Sequence, residues 1–151
     1  PMAITIQPAS MTDIPALVDL LGILFAIEQD FTPDPTAQQR GLELLLKHPE
    51  RGQILLACDE SAGVIGMVSA QLVISTAVGA PSAWIEDMVI APSYRGQGLG
   101  KQLLAAAADW TRQQGAQRLQ LLADADNAPA LGFYQHLGWQ STRLYAWKQL
   151  L

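Results

Sequence analysis

A glycine-rich segment in the C-terminal half of the chain carries a cationic side chain at each end. Residues 95–101 read Arg-Gly-Gln-Gly-Leu-Gly-Lys, between a predicted strand and a predicted helix. The N-terminus of a helix presents unpaired N–H groups and the positive end of the helix dipole. Glycines let that backbone approach an anion closely, and Arg95 and Lys101 add positive charge. The segment therefore predicts a cradle for a diphosphate group.

Two widespread phosphate-binding motifs do not fit this segment. The P-loop requires a glycine where Arg95 stands and a serine or threonine where Gln102 stands. The dinucleotide fingerprint requires a third glycine at Lys101, although a nicotinamide-dependent reductase is kept as an alternative that a binding titration can test. A third pattern, Arg/Gln-x-x-Gly-x-Gly/Ala, is matched in full by Arg95, Gly98 and Gly100.

Two adjacent carboxyl groups lie on the predicted strand that precedes this segment. Side chains alternate between the two faces of a strand. Alternation groups Glu86 with Met88 and groups Asp87 with Val89, so we expect the two carboxyls to point to opposite faces of the sheet. Only one of them should then face a reacting group.

Hydrophobic periodicity and turn residues predict ten elements in the order β, α, α, β, β, β, α, β, α, β. Three successive strands in the middle favour antiparallel pairing, and a βαβ crossover follows them. This order is typical of a mixed α/β sheet with helices on its faces. Neither a repeat nor a linker interrupts it, so we expect one domain over residues 1–151. The predicted strands cover residues 3–7, 53–58, 64–75, 83–91, 118–123 and 139–150.

Three segments together resemble the GNAT superfamily of N-acetyltransferases. The first is the acid-bearing strand of residues 85–92, which ends in proline, and the second is the turn of residues 95–100. The third is the pattern Asn-x-x-Ala-x-x-Phe-Tyr-x-x-x-Gly-Phe over residues 127–139, with Trp139 in place of the last aromatic. The resemblance is best from about residue 84 to residue 139.

The resemblance implies the GNAT fold, a mixed central sheet with antiparallel N-terminal strands and a splayed parallel pair, with helices on both faces. It also implies acetyl-CoA as co-substrate, with pantetheine against residues 83–91 and the diphosphate on the turn. For Asn127, capping of the following helix is an equally compatible role. No metal is implied. The implied cofactor contacts are Met88, Val89, Ile90, Arg95, Gly96, Gln97, Gly98, Leu99, Gly100, Lys101 and Asn127.

The implied reaction is acetyl transfer to a primary amine. An aliphatic amine is mostly protonated at neutral pH, so a general base must take its proton. We expect Glu86 to be that base, directly or through a water, with a structural or substrate-binding role as the alternative. Tyr134 matches the family tyrosine that protonates the departing sulfur, and its alternative role is simple ring packing.

The acceptor side implied by the resemblance is acidic. It maps to Glu28, Asp30, Phe31 and Asp34 and to residues 76–81, and Asp87 is a further candidate for holding the substrate. These acids favour a small cationic amine, unless Asp34 merely caps the second predicted helix and Glu28 and Asp30 are solvated. Residues 1–60 carry nine acidic and three basic side chains, whereas residues 91–151 carry six basic and three acidic ones. This asymmetry favours an anionic ligand on the C-terminal side and a cationic one on the N-terminal side, unless it is chance scatter of charge on a solvated surface.

Composition excludes several classes of protein. Of the 151 residues, 50% are hydrophobic, which argues against a disordered chain. The net charge is −5, which argues against a nucleic-acid-binding protein. No membrane span or signal peptide is predicted, so we expect a cytoplasmic protein. A homodimer is possible through the apolar final strand. The runner-up function is a non-catalytic module of the same fold that binds acyl-CoA, although Glu86 and Tyr134 favour an enzyme.

Overall fold

The structure is a computed structural model and describes residues 3–28 and 32–151. The chain divides into two compact units, residues 1–120 and residues 121–151. The strands are β1 (Ile4–Pro8), β2 (Gly52–Asp59), β3 (Gly63–Ser75), β4 (Ala80–Ile90) and β5 (Leu119–Leu121). The helices are α1 (Ile14–Ile27), α2 (Pro35–Lys47), α3 (Leu99–Gln113) and α4 (Ala128–His136), with short 3-10 turns at Met11–Asp13 and Pro92–Tyr94.

The five strands form one mixed sheet in the order β1-β2-β3-β4-β5. The first four pair antiparallel, and the crossover through α3 brings β5 parallel to β4. The main-chain N–H of Ala83 donates to the carbonyl of Arg118 over 2.9 Å. Because β5 has three residues and β4 has eleven, β5 covers only part of the edge of β4. Among the described residues, no strand pairs with residues 88–90 on that edge. The predicted fold class and the splayed pair are confirmed.

A β-bulge interrupts β4 at its two acidic residues. Ser69 pairs with Asp87 and Ala70 pairs with Ile85, so Glu86 is the extra residue of the bulge. A bulge leaves one residue unpaired and re-aims the side chains around it. Simple alternation therefore stops holding in this part of β4.

Helices cover both faces of the sheet. Leu17 of α1 and Leu42 of α2 pack with Met67 and Val89 in a buried cluster on one face. Gly66 precedes Met67 and faces the other way, where a Cβ would lie 3.4 Å from Leu103 of α3. Both layers exclude water from apolar side chains, which is the main stabilisation of a domain of this size.

The predicted helix starts are close to the observed ones. The Oδ1 atom of Asp34 accepts a hydrogen bond from the N–H of Ala37 over 3.2 Å, so Asp34 caps α2 as predicted. Thr12, whose residue type makes it a candidate N-cap of the first helix, lies one residue before the observed N-cap Asp13, because Ser10 and Asp13 form a capping box around a 3-10 turn before α1. Across residues 3–28 and 32–151, no helix is both long enough and apolar enough to cross a bilayer.

The second unit differs from the prediction at its end. Residues 139–150 were predicted to form a strand, but they contain no strand in the structure. Their large apolar side chains are exposed, with Leu144 81% and Trp147 94% accessible. The prediction was wrong because apolar and aromatic residue types favour a strand only where a neighbouring strand supplies the hydrogen-bonded ladder. Apolar composition alone does not show that such a neighbour exists.

Candidate functional site

A cleft of about 490 Å³ opens between the first two helices and the sheet. All of its lining residues belong to the first unit. Ligand clefts are commonly apolar with a few placed polar groups, and this one fits that description. The apolar wall consists of Leu21, Phe25, Leu42, Leu44 and Leu45. The polar lining consists of Gln38, His48, Arg51, Gln71, Glu86 and Asp87.

Both acidic residues of β4 line this cleft. The expectation that Glu86 and Asp87 point to opposite faces is therefore wrong. The cause is the bulge, which inserts Glu86 as an extra residue and removes the strict alternation on which that expectation depended. Glu86 is exposed and Asp87 is half-buried, so the two carboxyls differ in their solvation.

Asp87 has the most perturbed environment in the cleft. Burial and the negative charges of Glu86 and Glu28 raise the pKa of Asp87 to about 6, against an ordinary value of 3.8. Ser69, which is fully buried, donates from Oγ to a carboxylate oxygen of Asp87 over 3.4 Å and opposes this shift. Because burial disfavours the charged form, Asp87 changes protonation near neutral pH.

Gln38 is the second unusual polar group of the cleft wall. It lies on α2 with Leu42 one turn further on, and it is 8% exposed. Its Oε1 and Nε2 atoms are buried and have no hydrogen-bond partner within residues 3–28 and 32–151. Buried side-chain amides in folded proteins are almost always paired, so an unpaired one calls for a specific explanation.

The glycine-rich turn connects β4 to α3 through backbone conformations that favour glycine. Gly96 and Gly98 have φ angles of 77° and 80°, in the left-handed region that other residues rarely occupy. Gly98 is the N-cap of α3, and no side chain caps the first N–H groups of that helix. Those N–H groups, the positive helix end and the exposed cations Arg95 and Lys101 together fit a diphosphate group.

Two contacts hold the turn in place. Arg95 donates from Nε to the carbonyl of Ile90 over 3.1 Å, which folds its side chain back onto the end of β4. The Tyr94 hydroxyl donates to Asp59 at the end of β2, and this hydrogen bond lowers the pKa of the Asp59 carboxyl. The turn is therefore tied to two strands of the sheet.

The predicted cofactor residues differ in the solvent exposure of their side chains. Gly96, Gln97 and Gly98 are exposed, as a binding surface requires. The side chains of Val89 and Leu99 are 5% and 3% exposed and belong to the core. Only the backbone groups of those two residues can reach a ligand.

Two predicted residues lie in the second unit. Asn127 accepts from the N–H of Ala130 over 3.2 Å, so it caps α4 as its alternative role required. The ring of Tyr134 lies 5.4 Å from the ring of Phe133 and 5.7 Å from the ring of Trp139, measured between centroids. These edge-on and tilted aromatic contacts position the ring of Tyr134 within its own unit.

The predicted acceptor residues are only partly located. Glu28 follows α1 and is half-buried, and its charge contributes to the raised pKa of Asp87. Glu28 is outside the set of described residues that line the cleft. Asp30 and Phe31 lie outside the described residues.

Sequence reasoning missed several residues of the cleft, among them Gln38, His48 and Arg51. The signal for Gln38 was a polar residue four positions before Leu42, on the apolar face of α2. The sequence predicted the helix, but the polar residue on its apolar face was not identified as a site residue. No comparable signal pointed to His48 or Arg51, which lie at and after the end of α2.

Comparisons with known proteins identify the family to which the chain belongs. The model of the acetyltransferase (GNAT) family matches residues 20–139. The streptothricin acetyltransferase of Streptomyces lavendulae is 43% identical over 63 residues, which are 38% of this chain and 33% of that protein. The mycothiol acetyltransferase of Renibacterium salmoninarum is 32% identical over 96 residues, which are 62% of this chain and 28% of that protein. The matches thus span about a third of these curated relatives.

A third relative and a solved structure extend the comparison. The aminoglycoside N(6')-acetyltransferase type 1 of Stenotrophomonas maltophilia is 26% identical over 94 residues, which are 60% of this chain and 61% of that protein. An aminoglycoside N-acetyltransferase solved in complex with CoA superposes with a TM-score of 0.85 at 20% identity. That superposition covers 99% of this chain and 96% of the other, and it establishes the shared fold.

Proposed function

Because the chain belongs to the acetyltransferase (GNAT) family, we propose that it is an acetyl-CoA-dependent N-acetyltransferase that acts on a small amine. The observation that carries the proposal is Asp87, a carboxyl with a pKa raised to about 6 in the wall of an open cleft. The strand that holds Asp87 leads directly into the glycine-rich turn. A proton acceptor and an anion cradle are therefore connected by one short piece of chain.

The cofactor site consists of the free edge of β4 and the turn. In this proposal, backbone groups of residues 88–90 pair with the pantetheine amides, and the first N–H groups of α3 bind the diphosphate together with Arg95 and Lys101. When bound, acetyl-CoA supplies the activated acetyl group. The CoA complex of the structural neighbour with the shared fold supports this choice of ligand.

The carboxyl pair of the cleft handles the proton of the acceptor. Above pH 6 Asp87 is ionised and accepts a proton from the acceptor ammonium, because its pKa of about 6 is close to the operating pH. Glu86, at the exposed side of the cleft, attracts the ammonium and raises the pKa of Asp87 by its charge. The base predicted at Glu86 is thus reassigned in this proposal to Asp87, with Glu86 as its electrostatic partner.

Two further roles complete the proposed mechanism. The main-chain N–H of Met88 is the proposed donor to the thioester carbonyl oxygen as charge develops on it. The Tyr134 hydroxyl is the proposed donor of a proton to the departing sulfur, a role that rests on the match of residues 127–139 to the family pattern. Asn127 keeps its cofactor contact as a proposal beside its observed capping role.

The proposed acceptor is a small amine that carries a positive charge. Glu86 and Asp87 give the cleft a negative wall, and the negative field extends to Glu28. Relatives named for streptothricin and aminoglycoside acetylation support a polar amine of this kind. Preferential acetylation of neutral or acidic amines would contradict the acceptor class and leave the reaction type intact.

The test is the release of thiol from acetyl-CoA across a panel of amines. We expect turnover with at least one cationic amine, and we expect Tyr134→Phe and Glu86→Gln to reduce it while acetyl-CoA binding persists. Binding of acetyl-CoA without turnover of any amine would instead favour the acyl-CoA-binding module. Binding of NADPH in place of acetyl-CoA would favour the reductase.

A further inference from the structure

The side chain of Gln38 is buried in the cleft wall at a structural cost that the fold does not recover. It lines the cleft, yet its Oε1 and Nε2 atoms are covered and lack a partner in the part of the chain that the structure describes. Both atoms are therefore shielded from bulk solvent. A buried donor and acceptor left unpaired destabilise the folded state, whereas an apolar side chain of similar shape would not.

The position of Gln38 suits an apolar residue better. Leu42, one turn later on the same face of α2, is 3% exposed and belongs to the core cluster. The adjacent Gln39 faces solvent and donates from Nε2 to Glu43 over 3.1 Å. A glutamine is thus readily satisfied on the outer face of α2, and the unsatisfied one stands on the face that borders the cleft.

We propose that Gln38 recognises a carboxamide or peptide bond carried by the acceptor amine. This inference rests on the proposed function, because it concerns the acceptor of that reaction. An amide side chain offers one acceptor oxygen and two N–H donors, which matches the carbonyl and N–H of another amide in a paired arrangement. On binding, rotation about the side-chain torsions of Gln38 turns its amide toward the cleft and pairs both of its buried atoms.

The rest of the cleft is consistent with such an acceptor. Asp87 and Glu86 hold the ammonium, and Phe25 and Leu45 contact an apolar body. The carboxyl pair then holds the amine and Gln38 holds the amide, within a polar lining that also includes His48, Arg51 and Gln71. An acceptor that lacks the amide would leave Gln38 unpaired, and sites of this type discriminate strongly against such analogues.

The experiment compares matched amines in wild type and in Gln38→Met. The pairs are leucinamide with 3-methylbutylamine, and phenylalaninamide with 2-phenylethylamine, so that each pair differs by one carboxamide. Leucinol supplies a hydroxyl in the same place and reports whether any polar group suffices. Because the two amines of a pair differ in intrinsic reactivity, the measured quantity is the change in their kcat/KM ratio between the two proteins.

We expect the wild-type preference for the carboxamide to fall about tenfold or more in Gln38→Met, with leucinol intermediate in the wild type. The midpoint of thermal unfolding should stay the same or rise, which a purely structural role of Gln38 would not produce. Gln39→Met is the matched control on the same helix and should change neither quantity. An unchanged ratio, or a loss of stability in Gln38→Met, overturns the inference.

The outcomes separate this inference from the proposed function. If wild type acetylates no amine at all, the proposed function itself fails. If wild type acetylates other amines but none that carries a carboxamide or peptide bond, only the role of Gln38 is overturned.

Discussion

The turn at residues 95–101 and the cleft between α1, α2 and the sheet are the two proposed ligand sites, and they are built in different ways. The turn uses backbone: glycines in left-handed conformations and the uncapped N-terminus of α3. The cleft uses side chains that come from two helices and two strands, spread over residues 21–87. One region is local in sequence, and the other is assembled by the fold.

This difference separates what is general from what is specific. A backbone cradle binds any diphosphate, so many proteins with different substrates can share it. The apolar wall and the polar groups of the cleft depend on the identity of each side chain. In this chain those groups are a carboxyl pair at the bulge and the unpaired amide of Gln38. If the proposed function holds, the choice of acceptor is therefore made in the cleft.

The largest expected effect comes from removing the base in the cleft. Asp87→Asn should lower kcat by roughly 10²–10⁴-fold, because the amide cannot accept the proton of the acceptor ammonium. The dissociation constant for acetyl-CoA should stay within about twofold of wild type if the turn binds independently. Steady-state kinetics and calorimetric titration with acetyl-CoA measure the two quantities.

Glu86→Gln is the comparison for that variant. Because Glu86 acts on Asp87 by its charge, its loss should lower kcat by less than the loss of Asp87. An effect of Glu86→Gln as large as that of Asp87→Asn would return the role of base to Glu86.

The second-largest expected effect is a loss of acetyl-CoA affinity when a glycine of the turn is replaced. A glycine with the same backbone conformation elsewhere in the chain provides a matched control. Gly98→Ala forces an alanine to a φ of 80°, and Gly63→Ala does the same at 81° at the first residue of β3. Neither added Cβ would meet an atom within 4 Å, so both variants carry the same conformational penalty of about 1–2 kcal/mol. Only Gly98→Ala should raise the KM for acetyl-CoA, by about tenfold. An equal rise in Gly63→Ala would show that lost stability, and not the turn, is responsible.

The turn and the cleft also differ in how well the sequence alone predicts them. The turn, the acidic strand and the cap Asp34 were predictable because their residues are adjacent and each type has a local reason. The joint exposure of Glu86 and Asp87 to the cleft was not, since the bulge depends on how β3 and β4 pair. Gln38 was not predictable as a site residue, because its isolation depends on what packs around it.

The pH dependence of activity tests the electrostatics of the cleft. With a pKa of about 6 for Asp87, kcat/KM should rise with pH through 6 as the carboxyl ionises. Removing the neighbouring negative charge in Glu86→Gln should move this rise of kcat/KM to lower pH, by several tenths of a pH unit. If the activity still rises over the same pH range in Glu86→Gln, burial and the charge of Glu28, and not the charge of Glu86, raise the pKa of Asp87.

The same group should make stability depend on pH in the opposite direction. The pKa of Asp87 is about 6 in the folded protein against 3.8 ordinarily, so the folded state binds more protons between these values. Its contribution to the free energy of unfolding is full below 3.8 and is lost as the pH rises through 6. Asp87→Asn should therefore be more stable than wild type at pH 8, as measured by urea unfolding.

The smallest expected effect concerns the shape of the cleft. Gly41 of α2 lines the cleft, and a Cβ there would meet nothing within 4 Å, so Gly41→Ala adds a methyl group to open space. The helix should gain about 0.5–1 kcal/mol, since alanine favours a helix more than glycine does. Gly22→Ala in α1 should give a similar gain, and Gly22 does not line the cleft. Because only Gly41→Ala narrows the cleft, it alone should raise the acceptor KM, by a few-fold and more for bulkier amines. If the two variants change the acceptor KM equally, the acceptor binds outside this cleft. The proposal that the cleft selects the acceptor would then be wrong, whereas the proposal for the turn would stand.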